Sequence, residues 1–194
     1  MKSKCIIVEG PQGCGKTHLV NYLRENIPAS NLYRLSGQKD KTEKGKEKSK
    51  KMYYALLNYM KEIEDSDINL VFDRIFFTEE VYCKLGYKDY SFNDVYKELL
   101  EMLGNLNYDV YYISLYLKDV NIYEIRLKRE HHNYQDFSLD NSINQQNTYE
   151  SLLHEIKKLK NTKVYEIAMD NFDEAYNEIN KILEIVNKGV NFNK

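Results

Sequence analysis

The chain is poor in cysteine, has no long apolar run and carries almost no net charge, and each shortage removes a class of protein. Its three cysteines, Cys5, Cys14 and Cys83, are odd in number and far apart, with no C-x-x-C pair. That excludes a disulfide framework and a cysteine zinc site, and it points to a reducing compartment. No stretch approaches the roughly 20 apolar residues of a bilayer span, and Met1-Lys2-Ser3 leads straight into a strand pattern. The expectation is a soluble, cytoplasmic protein with no membrane partner. A formal charge of −2, from 28 basic and 30 acidic residues, gives no general attraction to nucleic acid or anionic lipid. Small anions remain open to local sites. No repeat or linker divides the 194 residues, and that length suits one domain.

Against these absences stands one concentrated motif. Gly10-Pro11-Gln12-Gly13-Cys14-Gly15-Lys16-Thr17 follows the apolar run Cys5-Ile6-Ile7-Val8 and precedes a helical pattern, with the spacing G-x-x-x-x-G-K-T. Phosphate oxygens need several donors converging on one point, and a glycine-rich turn supplies backbone N–H groups without Cβ atoms in the way. Lys16 adds a point charge for the β- and γ-phosphates, the Thr17 hydroxyl can ligate Mg²⁺, and the following helix aims its positive end at the anion. ATP with Mg²⁺ is therefore the expected cofactor pair. Gly10, Gln12, Gly13, Cys14, Gly15, Lys16 and Thr17 are its candidate ligands, with Cys14 read as a small residue filling a tight turn.

Apolar runs with helical segments between them predict an α/β fold: a parallel sheet of about five strands flanked by helices in three layers. Helices are expected over residues 16–25, 49–65, 77–84, 92–103, 122–130 and 142–160, and strands over 32–35, 69–72, 110–117 and 163–167 besides the first. The polar stretch 37–48 reads as a mobile loop, and 131–141 as a second. In the last helix Phe172, Ala175, Tyr176, Ile179, Ile182, Leu183 and Val186 form one apolar stripe read as core, opened by Asn171 and Glu174 as a capping pair.

Ligands of an open parallel sheet sit beyond the carboxyl ends of its strands, so Glu9, Arg34, Asp73, Arg74 and the Ala168-Met169-Asp170 turn should converge on the phosphate loop. Phosphoryl transfer needs cations around the moving group and a carboxylate to organise Mg²⁺ or accept a proton. Asp73 and Arg74 supply one of each, and the bland alternative is a surface ion pair. Arg126 and Arg129, at i and i+3, share a helix face and are positioned to close over a triphosphate, unless they are simply a solvated charged face. The adjacent His131 and His132 read as surface residues.

At these residues the chain resembles the P-loop nucleotide and nucleoside kinases, thymidylate kinases first and deoxynucleoside kinases second. The stretch Ile7 to Thr17 is similar to their E-G-x-x-G-x-G-K-T opening. Asp73-Arg74-x-x-x-Thr78-x-x-Val81-Tyr82 is similar to the thymidylate kinase D-R-Y-x-x-S-x-x-A-Y stretch. The resemblance implies that Arg74 holds the phosphate between donor and acceptor, that Arg126 or Arg129 acts from a lid over about 126–141, and that Met169 borders the adenine. Glu9, Arg34, Arg74, Thr78 and Tyr82 would then bind the acceptor, Thr17 and Asp73 the metal, and the protein would pair as a homodimer. Departures are visible. Gln12 stands where thymidylate kinases carry an acid, Ile75 replaces a tyrosine and Cys83 a glutamine. A nucleoside hydroxyl needs a carboxylate base, whereas a monophosphate needs arginines. Arg34, with no acid beside it, tilts the expectation to transfer from ATP to a deoxynucleoside monophosphate, thymidylate-like substrates first. A deoxynucleoside kinase, a kinase acting on nucleic acid, and a nucleotide-binding protein that transfers nothing are the alternatives.

Overall fold

The structure, a computed structural model that describes residues 2–128 and 138–188, alternates strand and helix. In chain order it runs β1 (Lys4–Glu9), α1 (Lys16–Asn26), β2 (Ser30–Arg34), α2 (Glu43–Glu62), β3 (Asn69–Asp73), α3 (Phe76–Lys84), α4 (Asn93–Gly104), β4 (Asp109–Tyr116), α5 (Asn121–Leu127), α6 (Leu139–Ile156), β5 (Thr162–Ala168) and α7 (Phe172–Asn187). The strands form one sheet in the order β2-β3-β1-β4-β5, every pair parallel. The α/β expectation and the three layers hold.

Both sheet faces are covered, which is why the strands read as continuous apolar runs rather than as an alternation. Along β1, Cys5 and Ile7 enter one core with α2, α3, α4 and α6, while Ile6 and Val8 enter the other with α1 and α7. A strand period of two thus divides one short run between two cores. The stripe on α7 buries Ala175, Ile179, Ile182, Leu183 and Val186, and the Asn171 side chain accepts from the N–H groups of Asp173 and Glu174, as the capping pair predicts.

Helix α2 departs from the sequence reading. It begins at Glu43, so the second half of the expected loop over 37–48 is helical. The missing signal was apolar periodicity, but Lys and Glu are good helix formers without it. Locally, the Asp40 carboxylate accepts from the Thr42 N–H at 3.1 Å and the Thr42 hydroxyl at 2.7 Å. Gly45 lies so close to this turn that a Cβ would meet the Asp40 carbonyl oxygen at 2.0 Å. Helix α6 likewise starts at Leu139, within the second expected loop, with the Ser138 hydroxyl accepting from the Asn141 N–H. Among the described residues no helix is long and apolar enough to cross a membrane.

Candidate active site

The sheet order changes direction beside β1, the position at which open α/β sheets bind ligands. Register fixes the neighbours: Val8 pairs with Asp73 on one side and Ile113 on the other, and Arg34 pairs with Asp73. The carboxyl ends of β1, β2 and β3 therefore deliver Glu9, Arg34 and Asp73 to one rim.

The loop from Gly10 to Thr17 turns tightly over β1. A Cβ on Gly10, whose φ is 148°, would lie 2.5 Å from the Leu115 carbonyl oxygen, so only glycine fits there. Gly15 caps α1 in the left-handed conformation, and the first turn of α1 carries no acidic residue that would compete for an anion. The Lys16 ammonium donates to the carbonyls of Gly10 at 2.7 Å and Pro11 at 2.5 Å and is only 5% exposed. Burial pulls its pKa below the ordinary lysine value, against the opposing pull of Asp73 and Glu9. Cys14 is wholly buried within the turn. The Thr17 hydroxyl lies 3.5 Å from the Asp73 carboxylate, which also faces the Arg34 guanidinium at 3.8 Å. Arg34 thus has an acid beside it, contrary to the sequence reading, because strand pairing sets Asp73 next to it. A hydroxyl and a carboxylate oxygen meeting at the mouth of a phosphate loop are the hard-oxygen donors that Mg²⁺ takes.

Beyond Asp73 lies a second, denser cluster. Arg74 has φ of 70°, an unfavourable conformation for a side chain with a Cβ, and its N–H is held by the Val8 carbonyl at 3.1 Å. Burial alone would lower the guanidinium's pKa, but Tyr82, Tyr149, Asp73 and Glu9 surround it and hold it above the ordinary value. Glu9 is fully buried; its two oxygens accept from the Ile75 N–H and the Thr78 hydroxyl, each at 2.8 Å. Burial pushes its pKa up to about 7, although those two hydrogen bonds and the charges of Arg74 and Lys16 pull the other way. The Thr78 hydroxyl also meets the Tyr149 hydroxyl at 2.8 Å, and the Gln12 side chain lies within reach of Tyr82.

The structure thus brings together Glu9, Gln12, Lys16, Thr17, Arg34, Asp73, Arg74, Thr78 and Tyr82. Arg126 stands on the far side of the loop: it donates to the carbonyls of Gly13 at 3.3 Å and Met169 at 2.6 Å, and it lies 4.9 Å from the Phe172 ring centre. Arg129 and the histidines 131 and 132, with most of the expected lid, fall outside the described residues. Met169 is fully buried, its methyl packed 3.4 Å from where a Cβ on Gly15 would sit and its carbonyl taken by Arg126. Phe172, read from the sequence as core, is instead 46% exposed beside Arg126 and His18.

Sequence reasoning missed two groups. On α6, Ser142, Gln145 and Tyr149 are buried against the site, though only Tyr149 had been read as part of an apolar face. On α3, buried Glu79 accepts from the Tyr90 hydroxyl and lies 3.5 Å from the Lys88 ammonium, which in turn donates to the Gln38 carbonyl. The adjacent carboxylates Glu79-Glu80, one turn into a helix that begins at a strand end, were the available signal.

The KAP family P-loop domain has a sequence model that matches residues 2–194. No curated protein matches the chain in sequence. Among solved structures, the YorR protein of Bacillus subtilis, in complex with phosphorylated GDP, is similar with a TM-score of 0.67 at 18% identity, covering 94% of this chain and 96% of that one. Thymidylate kinase from Candida albicans gives 0.65 at 12% identity, over 95% and 92%. Deoxyadenosine kinase from M. mycoides with bound dATP gives 0.60 at 14% identity, over 92% and 98%. At these identities the likeness is one of fold, the three-layer P-loop architecture described above.

Proposed function

Since the chain belongs to the KAP family of P-loop domains, we propose that it works as a nucleotide kinase, moving the γ-phosphoryl group of Mg·ATP to a deoxynucleoside monophosphate, with thymidylate the first acceptor to test. The observation that carries this reading is the double service of Asp73. Its Oδ2 meets both the Thr17 hydroxyl of the phosphate loop at 3.5 Å and the Arg34 guanidinium at 3.8 Å, and it is followed in the chain by Arg74. A donor half and a cationic half share one carboxylate.

In this reading the loop N–H groups and Lys16 grip the triphosphate, whose anionic oxygens displace the Gly10 and Pro11 carbonyls as partners of the ammonium. Thr17 and Asp73 are the residues that would hold Mg²⁺, which when bound neutralises charge on the β- and γ-phosphates. Arg34 and Arg74 orient an acceptor phosphate and balance the charge that spreads over the transferred group. Arg126 and Phe172 present a cation and an aromatic face at the loop's outer edge, where the donor base stacks.

One observation favours a second reading, a deoxynucleoside kinase. A buried carboxylate poised near neutrality, as Glu9 is, has the pKa of a general base for a sugar hydroxyl. Both its oxygens are already engaged by Ile75 and Thr78, which keeps the monophosphate reading first. A coupled ADP-release assay over deoxynucleoside monophosphates, deoxynucleosides and oligonucleotides separates the cases. Turnover with a monophosphate, greatest with thymidylate, is the expected result. Turnover with nucleosides alone selects the second reading, phosphate incorporated into polymer indicates a nucleic-acid kinase, and ADP release indifferent to every acceptor removes the kinase assignment.

A further inference from the structure

The inner face of α6 is not apolar where it meets the site. Ser142 and Gln145 are 1% and 2% exposed, on the same helix that then buries Tyr149, Leu152, Leu153 and Ile156 in the ordinary way. A core needs no hydroxyl or amide at such positions, and each loses water that must be replaced by a partner. Their partners lie on one residue of the phosphate loop. The Gln145 side-chain oxygen accepts from the Gln12 N–H at 3.1 Å, and the Ser142 hydroxyl donates to the Gln12 carbonyl at 3.3 Å.

That double hold has a directional consequence. With its N–H turned to α6, Gln12 contributes no backbone donor to the phosphates, and the converging donors begin with the residues after it. The Gln12 side chain lies within reach of Tyr82, whose hydroxyl is in the field of Arg74. One turn further along α6, the Tyr149 hydroxyl meets Thr78, which holds Glu9. In the other direction Gln146 accepts from the Leu117 N–H at 3.0 Å and the Tyr123 hydroxyl at 2.6 Å, tying the same helix to the exit of β4 and the root of α5. Helix α6 touches the loop, the acceptor cluster and the segment that carries Arg126.

Building on the kinase reading above, we propose that Ser142 and Gln145 are positioning residues: by fixing both backbone polar groups of Gln12 they aim its side-chain amide at the acceptor, so that α6 aligns the acceptor with the donor phosphate. The role is distinct from binding ATP. It acts through Gln12 and leaves the donors from Gly13 to Thr17 in place.

The test measures kcat and KM for the acceptor together with the Kd of Mg·ATP by calorimetry, in Gln145→Met, Gln145→Glu, Ser142→Ala, Gln12→Ala and the Gln12→Ala/Gln145→Met double variant. Losing a buried hydrogen bond and stranding its partner should cut acceptor kcat/KM in Gln145→Met by about 10- to 100-fold. ATP affinity should stay within about threefold. Gln145→Glu keeps an acceptor oxygen for the Gln12 N–H and should recover most of the loss. The double variant should be no worse than Gln12→Ala alone, because two residues acting through one side chain do not add. Multiplying losses in the double variant overturn the proposal, as does a fall in ATP affinity that matches the fall in acceptor kcat/KM. If Gln145→Met does not fold, Ser142→Ala set against Gln12→Ala carries the same cycle with the same two outcomes. A wild-type chain that phosphorylates no acceptor overturns the kinase reading itself, and this proposal with it, whereas wild-type transfer combined with additive losses overturns only the role of α6.

Discussion

The two halves of the proposed site, donor and acceptor, are built differently. The donor half is a run of eight consecutive residues, Gly10 to Thr17, whose shape follows from glycine geometry and from the strand and helix on either side. The acceptor half is assembled from Gln12, Arg34, Arg74, Thr78, Tyr82 and Tyr149, which come from the loop, β2, the β3–α3 turn, α3 and α6. Changes to the polar side chains of the donor half, Lys16 and Thr17, should therefore act on chemistry with little effect on folding, whereas Gly10 and Cys14 are also held by the fold. The acceptor half reaches into the core through Thr78 and Tyr149, and there it couples chemistry to stability.

The largest separation is expected at Lys16. Lys16→Ala removes the one ammonium within the loop and should lower turnover by on the order of 10³-fold. The Tm should stay near wild type, because α1 and β1 keep their buried faces. Near-normal turnover by that variant contradicts the role given to the loop.

Glu9 provides the next effect, and here stability changes. Its folded pKa, about 7, lies above the ordinary carboxylate value of 4.5, so the folded state binds the proton more tightly than the unfolded chain does. Stability from this residue is complete below the unfolded value and is lost as pH rises from about 4.5 through about 7. The loss amounts to roughly 3 kcal/mol, at about 1.4 kcal/mol for each pH unit of separation. Glu9→Gln, which has no charge to bury, should show a correspondingly flatter dependence in urea unfolding between pH 5 and pH 8. An unchanged slope would mean that Glu9 is ionised in the folded protein.

How much of this was visible in the sequence follows from the same contrast. The donor half was legible because its chemistry and its spacing lie in adjacent residues, and five strands followed from apolar runs that a doubly covered sheet requires. Arg34, Asp73 and Arg74 were legible because strand ends share a rim. Ser142 and Gln145 were not: they reach the loop across more than a hundred residues, and nothing in a polar residue near a helix start reports what it will face. Phe172 was misread because it obeys the period of α7 but sits at its first position, where the core has ended. The start of α2 was missed because its lysines and glutamates favour a helix without any apolar stripe.

The smallest effect is expected where neither half is touched. Asn171→Ala removes the cap of α7, two residues after Met169, and should cost about 1 kcal/mol of stability while leaving acceptor kcat/KM unchanged. A loss of activity there would mean that the start of α7, with Phe172, is set by its cap for contact with the donor base.

Phosphorus NMR of the wild-type chain with Mg·ATP and thymidylate tests the central claim most directly, because it follows the transferred group itself. The account predicts loss of the β-phosphate signal of ATP, appearance of ADP, and a matching pair of diphosphate signals from the phosphorylated acceptor. ATP that persists unchanged, or that yields only ADP and inorganic phosphate, would contradict it.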